Sequence, residues 1–322
     1  MVAALLLAGG LLLSSCASSS HPKSSHPKST ASDSATGAAS KIGVQVAAAF
    51  GSKPTLTIPG TAAPSTLTQQ LLTAGTGAVV AKGDTMVANY VGQTWAPKSG
   101  KPNVFDSSFD RGKPAAFVIG VGSVIPGWDK SLVGQKIGSR LLLSIPPADG
   151  YGSGGQPQAN ISGTDTLVFV VDVVGSYKPD ASAPGSAVTS LPNSGFPKIT
   201  NVVAKPPTIL STKGVKVPTK PVATLLITGS GPKIDAAKAL VLQIVQTDLT
   251  TMQHTQSSWG RAPQVVQAQN VLSIASVLTG KNIGSRALIL VPAIAASAAT
   301  ASSAAQPATP PQVLIVDIVG EF

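Results

Sequence analysis

The segment Leu167-Val168-Phe169-Val170-Val171-Asp172-Val173-Val174 is an almost unbroken apolar run. Its length and β-branched content suit a strand at the centre of a sheet. Part of it comes back: Val170-Val171-Asp172-Val173-Val174-Gly175 returns as Ile315-Val316-Asp317-Ile318-Val319-Gly320, 145 residues later. Gln135-Lys136-Ile137-Gly138-Ser139-Arg140 returns as Lys281-Asn282-Ile283-Gly284-Ser285-Arg286, at an offset of 146. Ser107-Ser108-Phe109-Asp110-Arg111 matches Ser257-Ser258-Trp259-Gly260-Arg261. Three matches in the same order indicate a duplicated domain.

Outward from the central run, Thr85 to Val91 alternates in character as a half-buried strand does. Ala115 to Ile119 and Ser139 to Ile145 read as further strands. Trp128 to Val133 is the one convincing helix, with Trp128, Leu132 and Val133 on its apolar face. An antiparallel sheet with one small helix is an α+β architecture. Pro179, Pro184, Gly185, Pro192 and several serines cluster between the copies. The expected domains are therefore 41–178 and 186–322, joined by a linker at 179–185.

The composition agrees with two domains. A chain of 322 residues with 43% hydrophobic content can build two ordinary cores. Charged residues make up only 11%, with Gly and Pro abundant, which favours strands and turns over long charged helices. The net charge is +10, but the cations are scattered singly without aromatic interleaving, so nucleic acid is not an expected partner. An anionic membrane or wall suits such a chain better.

The lone cysteine, Cys16, excludes an internal disulfide. Val2 to Leu13 is almost wholly apolar, too short to span a bilayer and of the right length for a signal segment. Leu13-Ser14-Ser15-Cys16 then looks like a bacterial lipobox, in which the cysteine becomes the lipidated first residue of the mature protein. No Lys or Arg precedes the apolar run, and the alternative is a plain secretory signal with an incidental cysteine. Ala17 to Ser40 is rich in Ser, Ala and Thr and reads as a disordered tether, the tandem His21-Pro22-Lys23 and His26-Pro27-Lys28 included. The expected location is outside the cytoplasmic membrane, anchored by lipid at Cys16.

The first half also carries Val104-Phe105-Asp106-Ser107-Ser108-Phe109-Asp110-Arg111-Gly112-Lys113-Pro114, then Gly122-Ser123-Val124-Ile125-Pro126-Gly127-Trp128, then Gly150-Tyr151-Gly152. Singly, each has a plain reading: Trp128, Phe117 and Phe169 as core, Asp106 as a turn residue capped by Ser107 or Ser108, Tyr151 as a turn aromatic. In this order they resemble the FKBP-type peptidyl-prolyl cis-trans isomerases, a family with macrolide-binding members. The resemblance runs from about Gly75 to Val174. It implies a curved antiparallel sheet wrapped around a short helix, with a pocket between them.

The resemblance also implies roles. Trp128 is the pocket floor, with Tyr90, Phe105, Val124, Ile125 and Phe169 as walls and Phe117 beside them. Asp106 is a buried carboxylate facing the amide. The Tyr151 hydroxyl and the Ile125 backbone N–H donate to substrate carbonyls. Ile161 closes one rim, and Arg111 pairs with Asp106 or Tyr90. Three positions depart from the family pattern: Ala115 stands where an aromatic is usual, Ser123 where an acid is frequent, and Trp95 to Asn103 forms a longer loop. The expected ligands are proline-containing exported polypeptides and, by family, macrolides.

The second half is an internal control. Tyr90 aligns with Ile244, Phe105 and Asp106 with Thr255 and Gln256, Trp128 with Ile274, Phe169 with Leu314, and Tyr151 with a stretch, Ala295 to Ala305, that has no aromatic. The framework is kept and the pocket chemistry is lost, so this copy is expected to be inactive. It is suited to binding unfolded chains, to dimerising or to spacing the active domain, with Trp259 and Arg261 either a small binding surface or local packing. His254 has no cysteine or second histidine near it, and no metal or cofactor is expected. There is no Walker loop, Rossmann fingerprint, HExxH or GxSxG. The competing reading is a non-catalytic lipoprotein that holds unfolded or proline-rich segments.

Overall fold

The computed structural model describes residues 41–189, 195–235, 237–267, 278–296 and 308–322. The first half forms β1 Gln45–Ala47, β2 Thr55–Thr57, β3 Thr68–Thr73, β4 Thr85–Thr94, β5 Val104–Ser107, β6 Ala115–Val118, α1 Pro126–Leu132, β7 Arg140–Ile145 and β8 Leu167–Tyr177. The second forms β9 Ser186–Ala187, β10 Lys198–Thr200, β11 Thr208–Ser211, β12 Val222–Thr228, β13 Ala239–Asp248, β14 Gln256–Ser257, β15 Gln264–Gln267, β16 Arg286–Val291 and β17 Gln312–Glu321. One antiparallel sheet runs β3-β7-β8-β4-β5, with β6 also on β4; the other runs β14-β13-β17-β16-β12-β9, with β15 on β13. The apolar run 167–174 lies in β8, at the middle of its sheet, and its repeat in β17 lies between β13 and β16.

Helix α1 starts at Pro126, where a missing N–H costs nothing, two residues before the expected start. Trp128 and Leu132 point into a core built with Met86, Tyr90, Leu141, Leu143, Ile145, Phe169 and Val171. Val133 packs at its edge. At Gly127 a Cβ would come within 2.6 Å of the Ile145 side chain, so a glycine lets the helix lie directly on β7.

One expectation fails. The alternation in Thr85–Val91 suggests one wet face, yet nine of the ten residues of β4 are buried. The reason is the hairpin β1–β2, which covers the outer face of the sheet. Ile42 and Val44 form a second apolar layer there with Trp95, Leu142, Val168 and Val170. A buried ion pair fastens the hairpin. Arg140 Nε and Nη2 donate to the Asp172 carboxylate at 2.6 and 2.8 Å. The same guanidinium donates to Ala48 O and Ser52 O, and Gly51 N–H donates to Asp172 Oδ2. Every nitrogen of the guanidinium thus has an oxygen partner, which is what a charge this deeply buried requires.

The second half is built to the same pattern. Hairpin β10–β11 covers the outer face of its sheet through Ile209 and Ile199, packed on Leu226, Leu288, Leu290, Val313 and Ile315. Arg286 donates to Asp317 at 2.5 and 2.8 Å and to Asn201 Oδ1, Val202 O and Lys205 O. The bulges repeat as well: β4 shifts register against β8 between Val87 and Ala88, and β13 against β17 between Val241 and Leu242. The repeated Gly-Ser-Arg and Val-Asp motifs are thus the two ends of one buried salt bridge, used twice.

The segment between the sheets is hydrogen-bonded along the second one. Pro179 O accepts from Gln243 Nε2 and Gly260 N–H, and Ala183 N–H donates to Asp317 Oδ2. Trp259 packs beside this segment and donates its indole N–H to Ser182 Oγ at 2.7 Å. The Tyr177 ring lies against Gly320, where a Cβ would come within 2.3 Å of the phenol oxygen. Among the described residues no helix is long and apolar enough to cross a membrane. Cys16, the apolar run before it, the tether at 17–40 and Ile274 lie outside the described residues.

Candidate active site

The concave face of the first sheet and α1 enclose a cavity of about 400 Å³. Tyr90 enters from β4, Phe105 and Asp106 from β5, Phe117 from β6 and Phe169 from β8. Gly122, Ser123, Val124 and Ile125 line it from the loop before α1, Trp128 from the helix and Tyr151 from the turn after β7. Trp128 is 3% exposed and sits at the centre of the rings. Its centroid lies 5.2 Å from Tyr90, 5.0 Å from Phe117 and 5.3 Å from Phe169, all edge to face. Phe105 meets Phe169 edge to face at 5.5 Å. Edge-to-face packing sets the positive edge of one ring on the negative face of the next and holds the cage rigid.

Two further features of the site have no expectation in the sequence. The first is Gly92, where a Cβ would come 2.5 Å from the Phe169 ring and 2.8 Å from that of Phe105. Only a glycine lets both rings close over β4 at that point. The second is Asp129, whose carboxylate accepts from Gly120 N–H at 2.6 Å and Gly122 N–H at 2.7 Å. It pins the loop that carries Val124 and Ile125. Both signals are tertiary: a lone glycine inside a strand and a lone aspartate in a helix carry no meaning until the partners are in place.

Polar groups gather at one side. The Tyr90 hydroxyl donates to Asp106 Oδ2 at 2.5 Å, and Arg111 binds both Asp106 and, at 2.8 Å, the Tyr90 oxygen. The Arg111 guanidinium also lies 5.5 Å from the Tyr90 ring centroid. Burial, followed by the bond to Asp106, pushes the Tyr90 hydroxyl up to about 12. Burial and then the Asp106 charge push Tyr151 up as well. Tyr151 donates no hydrogen bond among the described residues, nor does the Ile125 backbone N–H, and the buried Trp128 Nε1 has no partner there either. Tyr151 and the Ile125 N–H line the cavity and are therefore left for whatever fills it, while the Trp128 Nε1 lies buried beneath the ring cage. No group of three His, Cys, Asp or Glu gathers among the described residues.

Two assignments need correction. The Asp106 side chain is 39% exposed, not buried, because β5 is an edge strand and the carboxylate turns outward to Arg111. Arg111 pairs with both Asp106 and Tyr90, as expected, and does so from outside the cavity lining. Ile161 does not close the rim: it is 3% exposed and packs in the core, its backbone paired with Gln156. The long loop Trp95–Asn103 stays away from this cavity. Its Trp95 N–H donates to Thr166 O, the Trp95 indole to Thr61 O, and Lys98 pairs with Asp165. With Leu56, Ile58 and Pro59 it lines a separate cavity of about 440 Å³.

The second half lacks this constellation. Strand register sets Ile244 opposite Val316 as Tyr90 is set opposite Val171, and Gln256 opposite Gln246 as Asp106 is opposite Gly92. Leu314 faces Gln246 as Phe169 faces Gly92. A glutamine thus stands where the first half needs a glycine, together with loss of both phenylalanines. What remains near Ile244, Gln246, Gln256 and Arg261 is a small polar cleft of about 150 Å³.

The sequence of this site has relatives. The model of the FKBP-type peptidyl-prolyl cis-trans isomerase family matches residues 77–174. An "FK506-binding protein" of Streptomyces anulatus is 38% identical over 122 residues, which cover 38% of this chain and 95% of that protein. The "Peptidyl-prolyl cis-trans isomerase FKBP15-1" of Arabidopsis thaliana is 44% identical over 93 residues, 29% of this chain and 57% of that protein. Among solved structures, FkpA from Escherichia coli is similar at 38% identity and a TM-score of 0.30, covering 35% of this chain and 48% of that one. With its aromatic cage, its Tyr–Asp–Arg cluster and these sequence relatives, the chain belongs to the family of FKBP-type peptidyl-prolyl cis-trans isomerases.

Proposed function

We propose that the first half isomerises X–Pro bonds in exported polypeptides and that the second half has no isomerase activity. The observation that carries this is the ring-lined cavity with two unpartnered donors in its lining, the Tyr151 hydroxyl and the Ile125 N–H. Rotation about an X–Pro bond faces a barrier of about 18–20 kcal/mol because it breaks amide resonance. The twisted amide is less dipolar than the planar one, so a dry apolar cage favours it. Trp128 takes the proline ring, Phe105, Phe169, Val124 and Ile125 bound it, and Tyr151 and the Ile125 N–H hold the flanking carbonyls. No nucleophile and no cofactor enters this reading. An acceleration of about 10⁴- to 10⁶-fold needs about 5.5–8 kcal/mol, within reach of several contacts that strengthen in the twisted state. The same cavity is a candidate macrolide site. Residues 41–178 and 186–322 would be separate domains, and lipid at Cys16 would hold both outside the membrane.

A protease-coupled prolyl isomerase assay on the full chain tests the reading, with Trp128→Leu and Asp106→Asn alongside. Both variants are expected to fold, by circular dichroism, and to lose at least about tenfold in kcat/KM, roughly 1.4 kcal/mol of transition-state binding. A folded wild type no faster than buffer would make the first half a binding module instead. Palmitate labelling that persists in Cys16→Ser would remove the anchor.

A further inference from the structure

The positive charge of this protein is not evenly spread. Residues 181–234 hold six lysines and no Asp or Glu. Five of them, Lys198, Lys205, Lys213, Lys216 and Lys220, belong to hairpin β10–β11 and the chain that follows it, and all five are exposed. None forms an ion pair among the described residues. The second half has four carboxylates to oppose them, Asp235, Asp248, Asp317 and Glu321. Each is engaged elsewhere: Asp317 by Arg286, Glu321 by Lys238, Asp248 by His254, and Asp235 by the Ala237 N–H.

The hairpin presents this charge on a fixed frame. Ile199 and Ile209 turn into the core, so their strand neighbours Lys198, Thr200, Thr208 and Leu210 face outward. The connection between the strands is held by Arg286, which binds Val202 O and Lys205 O. Lys198 and Lys205 lie on the hairpin itself, and Lys213, Lys216 and Lys220 follow within nine residues of the end of β11. Between them stand exposed aliphatic side chains: Val202 at 52%, Leu210 at 58% and Val217 at 46%. The equivalent hairpin of the first half is unlike it. Its strands and turn carry a single lysine, Lys53, and that one is paired with Asp110.

We propose that hairpin β10–β11 and the segment to Lys220 dock on an anionic lipid bilayer. Clustered, unpaired ammonium groups match a surface of lipid phosphates. The aliphatic residues between them favour lipid over a soluble polyanion, because they enter the headgroup boundary as the lysine stems lie across it. The contact does not depend on acylation of Cys16 or on isomerase activity. Through it the inactive half holds the active half against the surface where exported chains emerge.

The test is sedimentation of the full chain, bearing Cys16→Ser, with vesicles. One set holds equal parts phosphatidylglycerol and phosphatidylcholine, the other phosphatidylcholine alone. Each lysine near such a surface contributes about fivefold in partitioning. The five-site variant with Lys198, Lys205, Lys213, Lys216 and Lys220 all changed to Glu is expected to lose at least about a hundredfold of the anionic preference. A control with Lys41, Lys82, Lys101, Lys113 and Lys136 changed to Glu has the same net charge and is expected to keep most of it. Equal loss in both would overturn the proposal in favour of net charge alone. Equal binding to both vesicle types, or binding to soluble polyphosphate but not to vesicles, would overturn it too. Isomerase rates of the same variants report separately on the pocket.

Discussion

The two halves agree in the strands they share, the second adding only β9 at the edge beside β12, and differ where a ligand would touch the sheet. Both place an arginine and an aspartate side by side under an outer hairpin, at 2.6 Å for Arg140–Asp172 and 2.5 Å for Arg286–Asp317. Both anchor the strand that enters the pocket region with a buried serine, Ser108 on Tyr90 N–H and Ser258 on Ile244 N–H, each at 2.8 Å. Both tie a glycine N–H to a serine hydroxyl, Gly75 to Ser139 and Gly229 to Ser285. On the concave side the matching positions change together: Gly92 against Gln246, Asp106 against Gln256, Phe169 against Leu314. Framework and pocket are therefore set by separate residues of the same strands.

The largest effect that would test this separation comes from the ion pairs. Arg140→Met leaves Asp172 buried without its partner and frees Ala48 O and Ser52 O; a cost of about 3–5 kcal/mol is expected. Arg286→Met should cost the second half a similar amount. Denaturant unfolding followed by two probes, one per half, reads both. Isomerase activity should fall with Arg140→Met as the first half unfolds and persist in Arg286→Met. If Arg286→Met abolishes activity while the first half stays folded, the halves are not separable and the comparison breaks.

Much of this was legible because the chain repeats. The run 167–174 marked the central strand, and the matched motifs supplied an alignment that the strand register bears out at Ile244, Gln256 and Leu314. The aromatic lining was legible as a resemblance, since Trp128, Tyr151 and the Phe105-Asp106 pair stand in order along the chain. What escaped has a common cause. Strands β1 and β2 are three residues each, too short for any periodicity, so the burial they impose on β4 could not be foreseen. Arg140 and Asp172 are 32 residues apart, and only the β7–β8 register joins them. Gly92 and Ile161 are defined by what packs on them. The outward turn of Asp106 follows from an edge position that the sequence does not show.

A smaller effect separates the serines. Ser108→Ala strands the Tyr90 N–H in the core, and Ser258→Ala strands the Ile244 N–H; about 1–3 kcal/mol of stability should go in each. Only Ser108→Ala should also raise KM, because it loosens the strand that carries the Tyr90 ring. Equal KM in both variants would mean that the ring cage positions Tyr90 without help from its backbone.

The smallest effect lies in alkali and belongs to Tyr90 alone, since Ile244 has nothing to titrate. Its hydroxyl is pushed up to about 12 in the folded protein, by burial first and by Asp106 second. An unfolded chain releases that proton near the ordinary tyrosine value of about 10. Between the two values the folded state binds one proton more than the unfolded state, so stability falls as pH rises. The contribution is whole below pH ~10 and is lost as pH passes through about 12. Tyr90→Phe removes the group, so its stability curve should lack that part of the alkaline decline. Wild type should be the more stable at pH ~9, and the gap should narrow toward pH ~12. A gap that stays constant across that range would mean that the hydroxyl ionises equally easily folded and unfolded. The bond to Asp106 would then hold Tyr90 in place without opposing its charge.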